Sequence, residues 1–231
     1  MPNWGRRIDL AKNPRDVVGL MHCIIPEGEK GIAKVTHFRV TREVNLENLR
    51  LIRDGQCGVK SGTYARLVVD GELMMTDTTN EFVTNRSIIF GSEGDVLIAG
   101  LGLGMVLMVL AKRKEVTSVT VVEKHQDVID LIEPHLRAEM TTKESKRLTI
   151  LQGDIFEWRP PKEARYDFIY FDIWPDIGPE NLPAMTKLHR SFWRWKRSRH
   201  STMTSWEHQR TIAMRQEERV EEELYARFRG Y

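Results

Sequence analysis

Cysteine is scarce in this sequence: Cys23 and Cys57 are the two among 231 residues, and they do not form a CxxC pair. Such sparse thiols are typical of a reducing compartment and exclude a disulfide framework of the kind found in small secreted proteins. No run approaches the about 18 apolar residues of a membrane span, and no apolar stretch follows the first charged residues as in a signal peptide. We therefore expect a cytoplasmic protein without a membrane partner.

An excess of one sign of charge is also nearly absent, since the formal net charge is +2. Overall charge therefore does not favour a nucleic-acid or membrane surface. Basic and aromatic residues do cluster at 187–200, a combination that nucleic-acid-binding segments use. Within this segment, Leu188, Phe192 and Trp195 recur at helical spacing. This spacing favours an amphipathic helix whose basic face is exposed to solvent. Nucleic acid is the disfavoured alternative for this segment.

Metal-ligand spacing is missing as well. The seven histidines are scattered, without cysteine or carboxylate companions at the intervals that structural and catalytic zinc sites use. We therefore expect no metal.

The first part of the chain has the periodicity of strands. Residues 31–40 alternate apolar and polar positions, and residues 63–77 form two β-rich runs around Asp70 and Gly71, a strong hairpin signal. The pattern of residues 46–55 predicts a short helix that ends at Gly55. These patterns predict that residues 1–92 form a small β-rich N-terminal domain.

The second part of the chain alternates short apolar runs with helical segments. Such a rhythm predicts a parallel sheet with helices on both faces. We expect residues 93–231 to form one α/β domain with a Rossmann-like, doubly wound, mostly parallel sheet, truncated after about five strands and followed by a C-terminal helix. The predicted strands lie within residues 95–100, 118–124, 147–154, 166–174 and 201–206.

A glycine loop joins the first of these strands to its helix. Gly100, Gly102 and Gly104 would allow a tight turn and the close approach of a ligand to free N–H groups at the helix N-terminus. Glu123 ends the next strand, where a carboxylate can accept both hydroxyls of a ribose. The spacing is GxGxG, because the third glycine of a GxGxxG dinucleotide motif is missing. A nucleoside is therefore favoured over NAD.

This spacing resembles that of class I S-adenosylmethionine-dependent methyltransferases. The resemblance implies that S-adenosylmethionine, or its decarboxylated form, is the cofactor. It also implies that Asp154 and Ile155, after the third strand, contact the adenine. The alternative for Asp154 is an N-cap of the following turn. The fourth strand, residues 166–172, corresponds to the strand that ends at the catalytic corner in that superfamily.

Within the superfamily, the chain is most similar to spermidine synthases, the polyamine aminopropyltransferases. The small β lobe and the hairpin at 67–88 carry this resemblance, and it implies a substrate-binding role for Glu81. Where that family has Tyr-His-Glu, this chain has Thr84, Asn85 and Arg86. Arg86 in the acceptor site would repel an ammonium group, so the sequence argues against a polyamine acceptor.

The corner after the fourth strand supplies the candidate catalytic residues. Asp172 ends the strand at the place where an open parallel sheet has its ligand crevice, and a carboxylate there can orient a nucleophile and take its proton. Asp176 is the second candidate acid. Trp174 is a candidate to stack on the substrate. The alternative is that Trp174 is an aromatic residue of the core. Arg86 and Glu81 complete the candidate substrate-binding set.

These patterns favour an S-adenosylmethionine-dependent methyltransferase acting on a small-molecule acceptor. The alternatives are an aminopropyltransferase that uses decarboxylated S-adenosylmethionine and a non-catalytic protein that retains the nucleoside fold. We also expect a homo-oligomer, since a short sheet and a strand-rich lobe both have edges that need cover. The final helix, with Val220 and Leu224 on one stripe, is predicted to pack on the sheet or on a second subunit.

Overall fold

The N-terminal sheet is antiparallel throughout. The computed structural model describes residues 25–41, 59 and 61–228 of the chain. Its first four strands pair in sequence order, as the alternating pattern at 31–40 and the hairpin around Asp70 predicted. Asp70 and Gly71 both have positive φ, 51° and 80°, the backbone of a two-residue hairpin turn. The helix predicted at 46–55 falls outside the described residues. The strands are β1 (Gly28–Lys30), β2 (Ala33–Val40), β3 (Gly62–Val69) and β4 (Glu72–Thr76).

Two short helices lead from this sheet into the second half of the chain. They are α1 (Thr79–Thr84) and α2 (Arg86–Gly91), and the sequence pattern did not predict them. Ile88 and Ile89 are fully buried and anchor α2 in the main core. The boundary that we predict after residue 92 falls between α2 and the next strand.

The second sheet has five strands, all paired in parallel, in the order β7-β6-β5-β8-β9. This confirms the Rossmann-like α/β prediction and its five strands. One boundary differs: the helix expected in the basic segment 187–200 ends at Phe192, and a 3-10 turn follows. The strands are β5 (Gly94–Ala99), β6 (Val116–Glu123), β7 (Leu148–Gln152), β8 (Phe168–Phe171) and β9 (Thr202–Ser205). The helices are α3 (Met105–Lys112), α4 (Gln126–Ala138), α5 (Thr142–Lys146), α6 (Leu182–Phe192) and α7 (His208–Phe228).

Both faces of the parallel sheet are covered, which explains why residues 96–99 of β5 and all of β8 are apolar and buried. One apolar cluster joins the sheet to α3, α4 and the N-terminal sheet. The other packs α6 on the opposite face, with Leu188, Phe192 and Trp195 all buried. The amphipathic-helix interpretation is therefore confirmed for Leu188 and Phe192, whereas Trp195 is buried from the 3-10 turn that follows the helix.

The strand order reverses between β5 and β8, and a crevice opens at the carboxyl ends of strands at such a point. The loop from β5 to α3 borders this crevice. Gly100, Gly102 and Gly104 have φ values of 96°, 53° and 73°, in the region that favours glycine. A Cβ atom at Gly100 would lie 2.0 Å from the carbonyl oxygen of Asp172. The glycine thus lets two chain segments approach at the base of the crevice.

We predict that Gly100→Ala destabilises the fold more than Gly71→Ala. Both residues have positive φ, which costs about 1–2 kcal/mol for a residue with a Cβ atom. At Gly71 the new methyl group meets nothing within 4 Å, whereas at Gly100 it meets backbone, which adds about 1–3 kcal/mol of overpacking. Urea denaturation of the two variants measures the difference. Equal losses of unfolding free energy would contradict this account of the loop.

Candidate functional site

A cavity of about 580 Å³ lies at the carboxyl ends of the parallel strands, beneath the β3–β4 hairpin. Many of the residues singled out in the sequence line it, although they are spread over more than 90 positions. Those residues are Glu81, Gly100, Gly102, Glu123, Asp154, Ile155, Asp172 and Trp174. The fold therefore brings the glycine loop, the acid after β6 and the corner after β8 into one space.

Glu123 is buried at the floor of the cavity and is held by two backbone groups. Its Oε2 accepts a hydrogen bond from the N–H of Leu101 at 2.9 Å, and its Oε1 accepts one from the N–H of His125 at 2.9 Å. The side chain is thus fixed relative to the glycine loop. A carboxylate offers about four lone-pair sites, so two bonds leave capacity for two ligand hydroxyls.

Asp154 and Ile155 follow β7 at the edge of the cavity. The Asp154 Oδ1 accepts from the N–H of Phe156 at 2.9 Å, so the side chain caps the turn that follows, as the alternative interpretation of this residue stated. Its other oxygen lies 3.5 Å from the Nζ of Lys124. Ile155 is buried and packs in the cluster beneath α6. Their contact with adenine stays a prediction.

Met75 brings the N-terminal sheet into contact with the glycine loop. Its Sδ accepts a hydrogen bond from the N–H of Leu103 at 3.0 Å. A Cβ atom at Gly102 would lie 2.2 Å from the same sulfur. The hairpin therefore forms an apolar roof, to which Leu73 and Met74 also contribute. Nothing in the sequence identified Met75, because its partner lies 28 residues further along the chain.

Glu81 and Asp172 form an acidic pair in the cavity. Burial raises the pKa of the Asp172 carboxyl to about 7. Burial and then the charge of Asp172 raise the pKa of Glu81 to about 8, although a hydrogen bond from the backbone of Thr76 acts to lower it. Two carboxyls with such pKa values can exchange a proton near neutral pH and attract a cation.

Tyr170 and Asn85 form a chain of hydrogen bonds that ends at the backbone of Glu81. The Tyr170 hydroxyl donates to the Asn85 Oδ1 at 3.0 Å, and the Asn85 Nδ2 donates to the carbonyl of Glu81 at 3.0 Å. Asn85 is 1% exposed. Burial first, and then the nearby acids Asp172, Glu207 and Glu81, raise the pKa of Tyr170 well above its ordinary value, so it stays a neutral donor. In the sequence, Asn85 stood out only as a departure from a motif.

Three candidates and one unpredicted residue complete the description. Arg86 is exposed and is not part of the cavity lining, so it does not face the acidic pair. Asp176 is also exposed outside the lining, and its backbone carbonyl accepts from the Asn181 side chain at 3.1 Å. Trp174 lines the cavity and packs against the cluster under α6. Trp206, directly after β9, lines it too.

Gly104 lies just outside the lining, where it caps the N-terminus of α3. A Cβ atom at this glycine would lie 2.4 Å from the Leu136 side chain, so the residue allows α4 to pack against the loop. Its role is therefore to shape the loop that the other two glycines present to the cavity.

Within the described residues, no group of three histidine, cysteine or acidic side chains is placed to hold a metal ion. Among the described helices, none is both long and apolar enough to cross a membrane.

Comparison with known proteins places these features in a family. A family model described as the spermine/spermidine synthase domain matches residues 78–193, half of the chain. The polyamine aminopropyltransferase 1 of Bacillus cereus is 25% identical over 153 residues, which cover 64% of this chain and 53% of that protein. The chain thus spans about half the length of this curated relative.

Solved structures with similar folds include two kinds of transferase. The spermidine synthase of Thermotoga maritima matches with a TM-score of 0.43 and 15% identity, over 74% of this chain and 52% of that one. The CcbJ methyltransferase of Streptomyces caelestis matches with a TM-score of 0.39 and 17% identity, over 53% and 45%. Since the family model spans α1, the glycine loop, both acids of the cavity and α6, the chain belongs to the spermine/spermidine synthase domain family.

Proposed function

We propose that this protein transfers a group from a sulfonium nucleoside of the S-adenosylmethionine type to the nitrogen of an amine. The observation that carries the proposal is the acidic pair of Glu81 and Asp172 in the cavity that the glycine loop borders. The pair combines the two properties that such a transfer needs from the protein, an attraction for a cationic acceptor and a site for its proton.

The proposed binding of the nucleoside is supported by the glycine loop and by Glu123. The N-terminus of α3 borders the cavity through Met105 and Val106, and its positive dipole end favours an anionic group of the ligand. The fixed Glu123 carboxylate faces the cavity where a ribose would lie. Bound there, the nucleoside would supply an electrophilic carbon on its sulfonium. Trp174 and the apolar roof would exclude water from this carbon.

The assignment of an amine as the acceptor is supported by the carboxyls of Glu81 and Asp172. An ammonium group has no lone pair, so the attacking nitrogen must lose a proton before its bond to carbon forms and the bond from carbon to sulfur breaks. A carboxylate with a raised pKa can take that proton, and Asp172, at the end of β8, is our choice for this role. Glu81 then holds the acceptor through its charge.

An aminopropyl group is the transferred group that the family favours. The matching family model is named for spermine and spermidine synthesis, and the curated relative is named as a polyamine aminopropyltransferase. The cavity lining contains the acids Glu81 and Asp172 but not Arg86. Methyl transfer from S-adenosylmethionine itself is the second candidate, favoured by the GxGxG spacing between β5 and α3. The acidic pair serves either reaction.

We predict that Glu123→Ala weakens binding of S-adenosylmethionine and of its decarboxylated form about tenfold or more. A charge-assisted hydrogen bond to the ribose contributes about 1.5–3 kcal/mol. Calorimetry with both nucleosides and with NAD measures the loss and identifies the preferred ligand. Glu163→Ala, which removes an exposed acid far from the cavity, is the control. Unchanged affinity in the Glu123 variant would contradict the assignment of Glu123 to the ribose hydroxyls.

We predict that Asp172→Asn binds the nucleoside normally but turns over about 10²–10⁴ times more slowly, because the amide cannot take the proton. Glu81→Gln should instead raise the KM for the amine. Product analysis with putrescine and each nucleoside in turn distinguishes aminopropyl from methyl transfer. Nucleoside binding without product from any amine would favour the non-catalytic alternative.

We predict that affinity for a diamine rises as the pH is raised through 7 and 8, since both carboxyls of the cavity ionise over that range. In Asp172→Asn, the neighbouring negative charge is gone. The pKa of Glu81 should therefore fall, and the binding curve should move to lower pH. Calorimetry with putrescine across this range measures both curves. A flat profile in the unmodified protein would show that the amine does not contact these acids.

A further inference from the structure

The 3-10 turn after α6 contains an aromatic side chain that does not belong to the core. Phe192 and Trp195 on either side are buried, whereas Trp193 is 62% exposed. An exposed aromatic residue is common by itself. At Trp193, however, the Nζ of Lys196 lies over the ring, 4.3 Å from its centroid. The cation orients the ring while much of its surface stays open to solvent.

Cations without an acidic partner surround Trp193. Residues 181–206 include no Asp or Glu. Arg194 and Arg199 are exposed and Lys196 is half-buried. None of the three forms an ion pair with a carboxylate in the part of the chain that the structure describes. Charges that the fold leaves unneutralised are available to an anionic ligand.

The loop before β8 lies beside this turn and adds to its positive charge. The Arg197 Nη2 donates a hydrogen bond to the carbonyl of Arg165 at 3.1 Å, which joins the two segments. We call the combined surface of residues 159–165 and 193–199 the basic surface. The exposed cations that the loop contributes are Arg159, Lys162 and Arg165.

Few carboxylates oppose these cations. Glu163 is exposed within the loop, and Glu157 is exposed just before it. Asp95 and Asp167 both pair with Arg197, where they mark the border of the basic surface toward β5. The cations therefore outnumber the acids here, although the net charge of the whole chain is only +2.

The basic surface lies at the edge of the sheet opposite the cavity. Its two segments lead into the amino ends of β8 and β9, whereas the cavity lies at the carboxyl ends of the strands. β8 has four residues, so about 13 Å of strand separates the two sites. No residue of the basic surface lines the cavity. A ligand that binds here is therefore distinct from the substrates of the cavity.

We propose that the basic surface binds single-stranded nucleic acid. The ring of Trp193 provides a face on which one unpaired base stacks, and the arginines and lysines beside it contact the phosphates that flank this base. Stacking does not depend on which base is present, so the surface binds single strands without reading their sequence.

Two of the arginines are ordered before any ligand binds. The Arg159 Nη1 donates to the carbonyl of Phe156 at 2.9 Å, and the Arg165 Nη1 donates to the carbonyl of Lys162 at 2.9 Å. These bonds hold each guanidinium in place without neutralising its charge, and each has further N–H groups to offer. Less side-chain freedom is then lost when a phosphate binds, which favours affinity.

The composition of the basic surface favours a single strand over a membrane or a duplex. Trp193 is the one large apolar side chain exposed on it, whereas a face that inserts into a membrane needs an apolar stripe. A base stacks on the ring only when it is unpaired, so a duplex would keep the phosphate contacts and lose the stacking. Single strands of RNA and of DNA both present a free base face and phosphates, so both should bind.

Fluorescence anisotropy with labelled oligomers of uridine and of thymidine, each of about 12 nucleotides, tests the proposal. Trp193→Ala should weaken both complexes about tenfold, because the stacking is lost, and Trp193→Phe should retain part of the affinity. Tyr225→Ala removes a comparably exposed aromatic side chain from α7 and should change neither complex. Urea denaturation of each variant checks that the fold is retained.

The salt dependence of binding tests the phosphate contacts separately. In Arg194→Ser with Lys196→Ser, the slope of log Kd against log salt concentration should fall by about 1.4, since each contact on a single strand contributes about 0.7. Lys114→Ser with Lys143→Ser removes two exposed cations elsewhere and should leave the slope unchanged.

Three outcomes would overturn the proposal. The first is that neither oligomer binds at about 100 µM protein in about 50 mM salt. The second is that a duplex binds as tightly as the single strands and Trp193→Ala has no effect, because charge alone would then account for binding. The third is that vesicles containing phosphatidylserine bind where neither oligomer does, which would assign the basic surface to a membrane.

Discussion

The close approach of the β5–α3 loop to the chain leaving β8 is the constraint on which the site depends. No side chain fits at Gly100, because the carbonyl oxygen of Asp172 occupies the place of its Cβ atom. The contact holds the glycine loop against the strand end that presents the Asp172 carboxyl. Glu123 then binds the loop from the other side through the N–H of Leu101. Three separate segments are therefore fixed relative to one another before any ligand binds.

The acidic pair joins the two halves of the chain electrostatically. Asp172 directly follows β8 of the parallel sheet and Glu81 belongs to the short helix α1, and the two residues line the same cavity with their carboxyls partly shielded from water. Because their folded-state pKa values of about 7 and about 8 exceed the ordinary 3.8 and 4.5, the folded state binds protons more tightly than the unfolded chain. The stability that these groups contribute is fully present below about pH 4 and is lost as the pH rises through 8. A site that gains negative charge and attracts cations as the pH rises through 7 and 8 is thus maintained at the expense of stability.

The structure places Asn85 and Arg86 differently from one another, although the sequence-based argument treated them together. The sequence placed Thr84, Asn85 and Arg86 opposite the acceptor because they align with a motif of the family. In the fold, Asn85 lies one helical turn after Glu81 and faces inward with it, where it binds Tyr170. Arg86 begins the next helix, α2, and is exposed outside the cavity lining.

The sequence by itself determined the fold class and the strands of both described sheets other than β1, but not the short helices α1 and α2. Apolar runs, glycine spacing and the Asp70-Gly71 turn predicted the hairpin, the five parallel strands and the loop, because these signals are local and arise from backbone conformation and periodicity. The acids after strand ends were found for the same reason, since topology places strand ends at one edge. Only the tertiary structure decided which of them share the cavity: it selected Glu81 and Asp172, left Asp176 and Arg86 at the surface, and added Met75, Tyr170 and Trp206. Those choices depend on packing between residues far apart in the chain, which no local pattern encodes.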